Sequence, residues 1–174
     1  MIPRKASFKI LDLAAQFKVV AITGPRQSGK TTLAKNLFPS HTYVSLENLD
    51  TRQFALDDPR GFLETYTNGV IFDEIQRTPT LFSYLQEVVD NSTDKGKYIL
   101  TGSINFLLQQ NISQSLAGRV GYLTLLPFSM LELSESGFDV SDKDQLMFNG
   151  LYPPVYDQKI KPVDWYRNYL RTYV

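Results

Sequence analysis

The octapeptide Gly24-Pro25-Arg26-Gln27-Ser28-Gly29-Lys30-Thr31 fits the pattern G-x-x-x-x-G-K-[ST], and its flanks constrain the fold around it. Before it, Phe17-Lys18-Val19-Val20-Ala21-Ile22-Thr23 is a short β-branched run that reads as a buried strand. After it, Thr31 to Phe38 places Leu33, Ala34, Leu37 and Phe38 on one helical face, and Pro39 stops the helix. Strand, loop and helix in that order is the setting in which such a loop cradles phosphate. Gly24 and Gly29 permit backbone dihedrals that turn successive N–H groups toward an anion, and the helix start adds its positive end. Lys30 would reach the β- and γ-phosphates, and the Thr31 hydroxyl would ligate Mg²⁺. The bland alternative is a chance match in a glycine-containing turn.

The rest of the chain repeats the alternation. Ile10, Leu13, Ala14 and Phe17 predict an amphipathic helix over 7–17. Further strands are expected at 43–46, 70–72, 97–100 and 121–125. Helices are expected over 51–57 with Asp50 as cap, over 60–66 after Asp58-Pro59, after Thr78-Pro79 as cap and first-turn proline, over 104–111, and over 127–135. Strands alternating with helices predict an α/β fold, a parallel sheet covered on both faces. Residues 137–144, rich in Gly, Ser and Asp, read as a linker or loop. Beyond it Trp165, Tyr169 and Thr172/Tyr173 recur at helical spacing up to Val174. The expectation is a 1–136 domain followed, over 137–174, by a linker and the start of a truncated C-terminal domain.

The 174 residues carry 43% hydrophobic and 21% charged side chains, enough apolar content for a core and too little charge for disorder. Eighteen basic and 18 acidic side chains balance, so nothing points to nucleic acid, although a local basic patch stays open. The absence of cysteine excludes disulfides and cysteine-zinc sites and suits a reducing compartment. Lys9, Asp12 and Lys18 interrupt any signal-peptide core behind the basic N-terminus, and no apolar run would span a bilayer. A soluble cytoplasmic protein with no membrane partner is the expectation.

Phe72-Asp73-Glu74 ends the third strand, where ligands of parallel sheets bind. Asp73 would hold Mg²⁺, and Glu74 would orient and deprotonate a water for attack on the γ-phosphate. The alternative is a solvated pair of loop carboxylates. Ser103, closing Thr101-Gly102-Ser103, would sense the γ-phosphate or merely cap a helix. Arg119 could be an arginine finger for a neighbour's nucleotide, or a salt-bridging surface residue. Arg26 could touch phosphate or pair with a carboxylate. His41, the sole histidine, reads as a loop residue with no support for zinc.

Taken in series, Gly24-Pro25-Arg26-Gln27, Gly29-Lys30-Thr31-Thr32-Leu33, Tyr43-Val44-Ser45-Leu46-Glu47, Asp73-Glu74-Ile75-Gln76-Arg77, Leu100-Thr101-Gly102-Ser103, Ser115-Leu116-Ala117-Gly118-Arg119 and Leu126-Pro127-Phe128-Ser129 resemble the prokaryotic AAA-type ATP-binding proteins that carry a C-terminal domain of unknown function. The resemblance covers roughly residues 17–133, and 148–174 resemble the start of that family's second domain. It implies a P-loop NTPase of AAA-like build, with strand order 5-1-4-3-2 in a five-stranded sheet. It also implies ATP with Mg²⁺. The nucleotide-contacting candidates are Gly24, Pro25, Arg26, Gln27, Ser28, Gly29, Lys30, Thr31 and Thr32. Thr31 and Asp73 are the metal ligands, and Lys30, Glu74, Ser103 and Arg119 are the catalytic candidates. A departure from many AAA proteins is the missing helical lid with its sensor arginine.

The leading expectation is a Mg²⁺-dependent ATPase that drives or regulates a partner, a protein or DNA engaged through the missing C-terminal part. A homo-oligomer is left open. The second is a nucleotide-dependent switch or binding module with little turnover. A small-molecule kinase would want an Arg-rich lid, and a guanine reader an Asn-Lys-x-Asp element after a strand. Neither is present, so ATP hydrolysis is favoured over both.

Overall fold

Successive residues of a strand face opposite sides of its sheet, and the first strand is apolar on both. Val19 and Ala21 join one buried cluster, Val20 and Ile22 another. A strand of that kind has to be central and covered twice. The computed structural model describes residues 2–103, 112 and 114–173, and elements are numbered over these. Five strands, β1 (Val19–Gly24), β2 (Thr42–Ser45), β3 (Val70–Asp73), β4 (Tyr98–Ser103) and β5 (Val120–Thr124), form one parallel sheet ordered β2-β3-β4-β1-β5. Counted from the other edge this is 5-1-4-3-2, as the resemblance implies.

The chain divides into two compact units. One contains Ala6–Gly24 and Lys30–Leu125, and so holds the whole sheet. On one face of that sheet, Val20, Ile22, Ile71 and Ile99 meet Ile10 and Leu13 of α1 (Ala6–Gln16) and Leu33 and Ala34 of α2 (Lys30–Leu37). On the other face, Val70, Phe72, Tyr98 and Leu100 meet α3 (Leu49–Asp57), α4 (Pro59–Glu64) and α5 (Leu81–Asp90). Phe72 is fully buried there, stacked on Phe62 at 5.4 Å and edge-on to Tyr66 at 5.6 Å.

The other unit contains the N-terminal arm up to Lys5, Pro25–Gly29, and the chain from Leu126 onward. Its helices are α6 (Met130–Glu135), α7 (Lys143–Asn149), α8 (Pro153–Asp157) and α9 (Pro162–Tyr173). Ile2, Phe128 and Leu133 form its small core, with Val140, Leu146, Leu151 and Tyr156 against it. Arg4, 9% exposed, replaces an apolar centre with a satisfied polar one. Its Nε donates to Glu132 Oε1 at 3.2 Å and its Nη2 to Leu126 O at 2.6 Å, and the guanidinium lies 4.9 Å from the Phe128 ring centre. Burial pushes the Glu132 carboxyl up, but N–H donation from Ser129 and Lys5 and the charge of Arg4 outweigh it, and the net shift is downward.

Three helix starts differ from the sequence expectation, in α3 and α6 because a nearby side chain caps the first amides and in α5 because a 3₁₀ turn precedes the helix. Asn48, not Asp50, caps α3 by accepting from Thr51 N at 3.0 Å, while Asp50 lies in the first turn where its charge suits the helix dipole. Thr78 spends its hydroxyl on Ile75 O, closing the 3₁₀ turn Ile75–Arg77, so α5 begins only at Leu81. Ser129 and Glu132 form a reciprocal capping box, which delays α6 to Met130 rather than Pro127. The helix expected over 104–111 lies outside the described residues. Helices α7 and α8 were not anticipated, and the first, capped by Asp142, begins inside the expected linker.

Removing the Phe72 ring leaves a void between two aromatic neighbours at the sheet centre. Phe72→Ala is expected to lower unfolding stability by about 3–5 kcal/mol, measured by denaturant titration. A loss below about 1 kcal/mol would contradict this account of the core.

Candidate functional site

Parallel strands bring their C-terminal ends to one edge, and the register fixes what meets there. Gly24 lies beside Ser103, and Phe72 beside Leu100, so Asp73 follows next to Thr101. The Asp73 side chain, 8% exposed, gathers donors from three elements. Thr31 Oγ1 of α2 donates to Oδ1 at 2.8 Å, Tyr43 OH of β2 donates to Oδ2 at 2.9 Å, and Thr101 Oγ1 of β4 donates to Oδ1. Lys35 Nζ, one turn along α2, sits 3.3 Å from the centre of the Tyr43 ring, a cation–π contact.

Glu74 leaves the strand with φ 57°, a left-handed conformation that costs a glutamate of order 1–3 kcal/mol and persists only where neighbours hold it. Its Oε2 accepts from Gln76 Nε2, and Gln76 Oε1 is buried without a partner among the described residues. The Ser103 hydroxyl, on a side chain 8% exposed, likewise has no partner among the described residues. Lys30, also buried, donates to Gly24 O at 3.1 Å across the turn that the loop makes. Gly24 and Gly29 have φ 151° and 93°, where a side chain would be strained, so the two glycines that frame the loop are required by its backbone. Thr32 is exposed in the first turn of α2.

The inner loop residues belong to the other unit and are held there. Ser28 N donates to Pro25 O at 3.3 Å, and Ser28 O accepts from Arg4 Nη1 at 2.8 Å. Gln27 is left-handed at φ 60°, and its Oε1 accepts from Trp165 Nε1 at 3.1 Å. Pro25 and Arg26 complete this stretch, and Arg26 is exposed.

Arg119 lies elsewhere. It precedes β5, whose first residue pairs with Val19, so it sits at the end of β1 opposite Gly24, about 17 Å of strand away. There its Nη2 donates to Asp90 Oδ2 at 3.0 Å and its Nε to Oδ1. Within its own chain it cannot reach the residues around Asp73. His41 Nε2 donates to Gly96 O at 2.8 Å, a loop role. No group of three or more metal-ligating side chains exists among the described residues, and no helix among them is long and apolar enough to cross a membrane. Tyr43, Thr101, Gln76, Arg4 and Trp165 were not singled out for the site from the sequence. Only the strand positions of Tyr43 and Thr101 carried a signal, being on β2 and at the end of β4 beside the expected carboxylates.

A family described as AAA domain has a sequence model that matches residues 16–134. Two uncharacterized proteins, from Mycobacterium bovis and Mycobacterium tuberculosis, are each 29% identical over 176 residues. The match covers 98% of this chain but 38% of each relative, so the chain spans well under half the length of the curated relatives it matches. Among solved structures, a Walker-type ATPase of Pyrococcus abyssi superposes with a TM-score of 0.58 at 16% identity, over 99% of this chain and 68% of that one. AMPPCP-bound DnaA from Aquifex aeolicus also gives 0.58 at 16% identity, over 92% and 59%. At such identities the likeness shows the fold alone.

Burial, and then donation to the Asp73 carboxylate, push the Tyr43 phenol from 10.0 up to about 12. The folded chain therefore keeps this proton where an unfolded tyrosine loses it. The associated stability is fully present below about pH 10 and is lost as pH rises toward 12. Tyr43→Phe is expected to remove one phenol from the alkaline end of an ultraviolet absorbance titration and to flatten the stability loss over that window. A titration curve missing only an ordinary tyrosine would contradict the arrangement.

Proposed function

The chain belongs to the AAA domain family, and from that premise we propose that it binds ATP with Mg²⁺ and hydrolyses it to drive or regulate a protein or DNA partner. One observation carries the proposal: the last residue of the octapeptide, Thr31, is hydrogen-bonded at 2.8 Å to a carboxylate 42 residues further along. A glycine-containing turn that matched the pattern by chance would have no reason for that tie.

The Thr31 hydroxyl and Asp73 carboxylate are adjacent hard oxygens, the donor set from which Mg²⁺ takes one or two protein ligands beside phosphate and water. When bound, the ion would neutralise charge on the β- and γ-phosphates. The loop from Gly24 to Thr32 would hold the phosphates through its amides, with Lys30 giving up Gly24 O to reach them. Glu74 would accept the proton of the attacking water, and the unpartnered Ser103 hydroxyl would donate to the γ-phosphate. Arg119 could act only in trans, in a homo-oligomer, after release from Asp90. A cysteine-free chain suits the cytoplasm. AMPPCP, an ATP analogue, is bound by the DnaA neighbour, which supports ATP as the nucleotide.

A second reading, a switch with little turnover, has its own observation. The Glu74 carboxylate is engaged by Gln76, so the base is tied down in this conformation. ATPase assays with and without DNA separate the two readings. Background turnover by a chain that binds ATP favours the switch.

Lys30→Ala is expected to abolish ATP binding, measured by equilibrium dialysis. Glu74→Gln is expected to keep ATP binding and lose about 10²–10⁴-fold in turnover. Unchanged turnover in that variant would remove Glu74 from the mechanism.

A further inference from the structure

We propose that Trp165 is a positioning residue for the phosphate loop, its indole N–H fixing Gln27 and thereby linking occupancy of the loop to the placement of helix α9. The inference rests on the reading of residues 24–31 as a nucleotide loop. It adds a residue that the octapeptide does not contain and that lies 138 positions away in the chain.

A loop that binds an anion through its amides must present them in one conformation, and the left-handed residue within it decides where they point. That residue is Gln27, at φ 60°. A glutamine held there without glycine's freedom needs its neighbours to over-determine it. The residue is exposed, and the side-chain contact that holds it is the bond from Trp165 Nε1 to its Oε1 at 3.1 Å.

The indole is itself immobile. It is 6% exposed, stacked on Tyr169 at 4.8 Å and 21°, with Tyr152 at 4.7 Å and Tyr166 edge-on at 4.7 Å. The two following loop residues are held from the same unit. Arg4 fixes the Ser28 carbonyl, and a side chain added at Gly29 would lie 3.5 Å from Arg4 Nη1 and 4.0 Å from Pro153 Cγ. Residues 27–29 thus rest against the N-terminal arm and α8–α9. A displacement of α9 would withdraw the Gln27 contact, and a change in the loop on binding would be felt by the indole. By linkage the two effects are equal in size.

Trp165 is the sole tryptophan, so indole emission comes from this residue alone. The experiment is a double-mutant cycle of Trp165→Phe and Gln27→Ala, with binding of a non-hydrolysable ATP analogue with Mg²⁺ measured by equilibrium dialysis. Each single variant is expected to bind about three- to tenfold more weakly, the worth of one hydrogen bond, and the double variant no more weakly than the weaker single. Emission of the unsubstituted chain is expected to shift with the analogue, and in Gln27→Ala that shift is lost. If the unsubstituted chain binds and the two losses multiply, or Trp165→Phe binds normally, the role of Trp165 is overturned and the nucleotide reading stands. If the unsubstituted chain does not bind the analogue, both fall. Should Trp165→Phe fail to fold, Gln27→Ala decides, and an emission shift of full size in that variant overturns the proposal.

Discussion

One carboxylate ties the sheet edge together. Asp73 accepts hydroxyl protons from α2, β2 and β4, three elements that the sequence keeps apart and the parallel register brings to one end. A buried carboxylate is costly unless its lone pairs are met by donors, and here both oxygens are met. The same bonds place Thr31 beside Asp73, the oxygen pair to which the proposed function assigns a divalent cation. Stability of the sheet edge and chemistry of the site are therefore one arrangement. It also explains why a tyrosine on a short strand, partly open to solvent, holds its proton so firmly.

The sheet was legible in the sequence because β1, β3 and β4 are apolar on both faces, and the loop because two glycines with forced dihedrals frame a lysine. Asp73 and Ser103 could be placed at the binding edge from strand ends alone. Strand order was not derivable from periodicity and came from the resemblance. The starts of α3 and α6 were missed by a few residues because several oxygen-bearing side chains compete to cap, and local sequence does not rank them; α5 was missed because a 3₁₀ turn, closed by Thr78, precedes it. Tyr43 was read as a strand residue since nothing local says that its hydroxyl meets a carboxylate 30 positions on.

The second unit was the least legible. Arg4 looked like one charge in a basic N-terminus, yet it is buried among acceptors more than 120 positions distant. Its five donors reach a carboxylate and backbone carbonyls together, which a lysine could not do. Trp165 looked like part of an aromatic stripe at helical spacing. The stripe is real, but one edge of it is spent on a loop glutamine. Contacts at such separation leave no periodic trace, and only coordinates reveal them.

The reach of Arg4 bears on how the chain is made. Residues 2–5 leave the ribosome ahead of the sheet, while Leu126, Pro127 and Glu132, which receive the guanidinium, follow far behind. At about 5–20 residues per second the arm waits on the order of ten seconds for its acceptors, and longer for the indole that grips Gln27. The sheet and its helices span Ala6 to Leu125, so their contacts can form on the nascent chain before that moment. Residues 27–29 gain these contacts last, once α8 and α9 have emerged. Synthesis itself thus postpones these loop contacts until well after the sheet has been made.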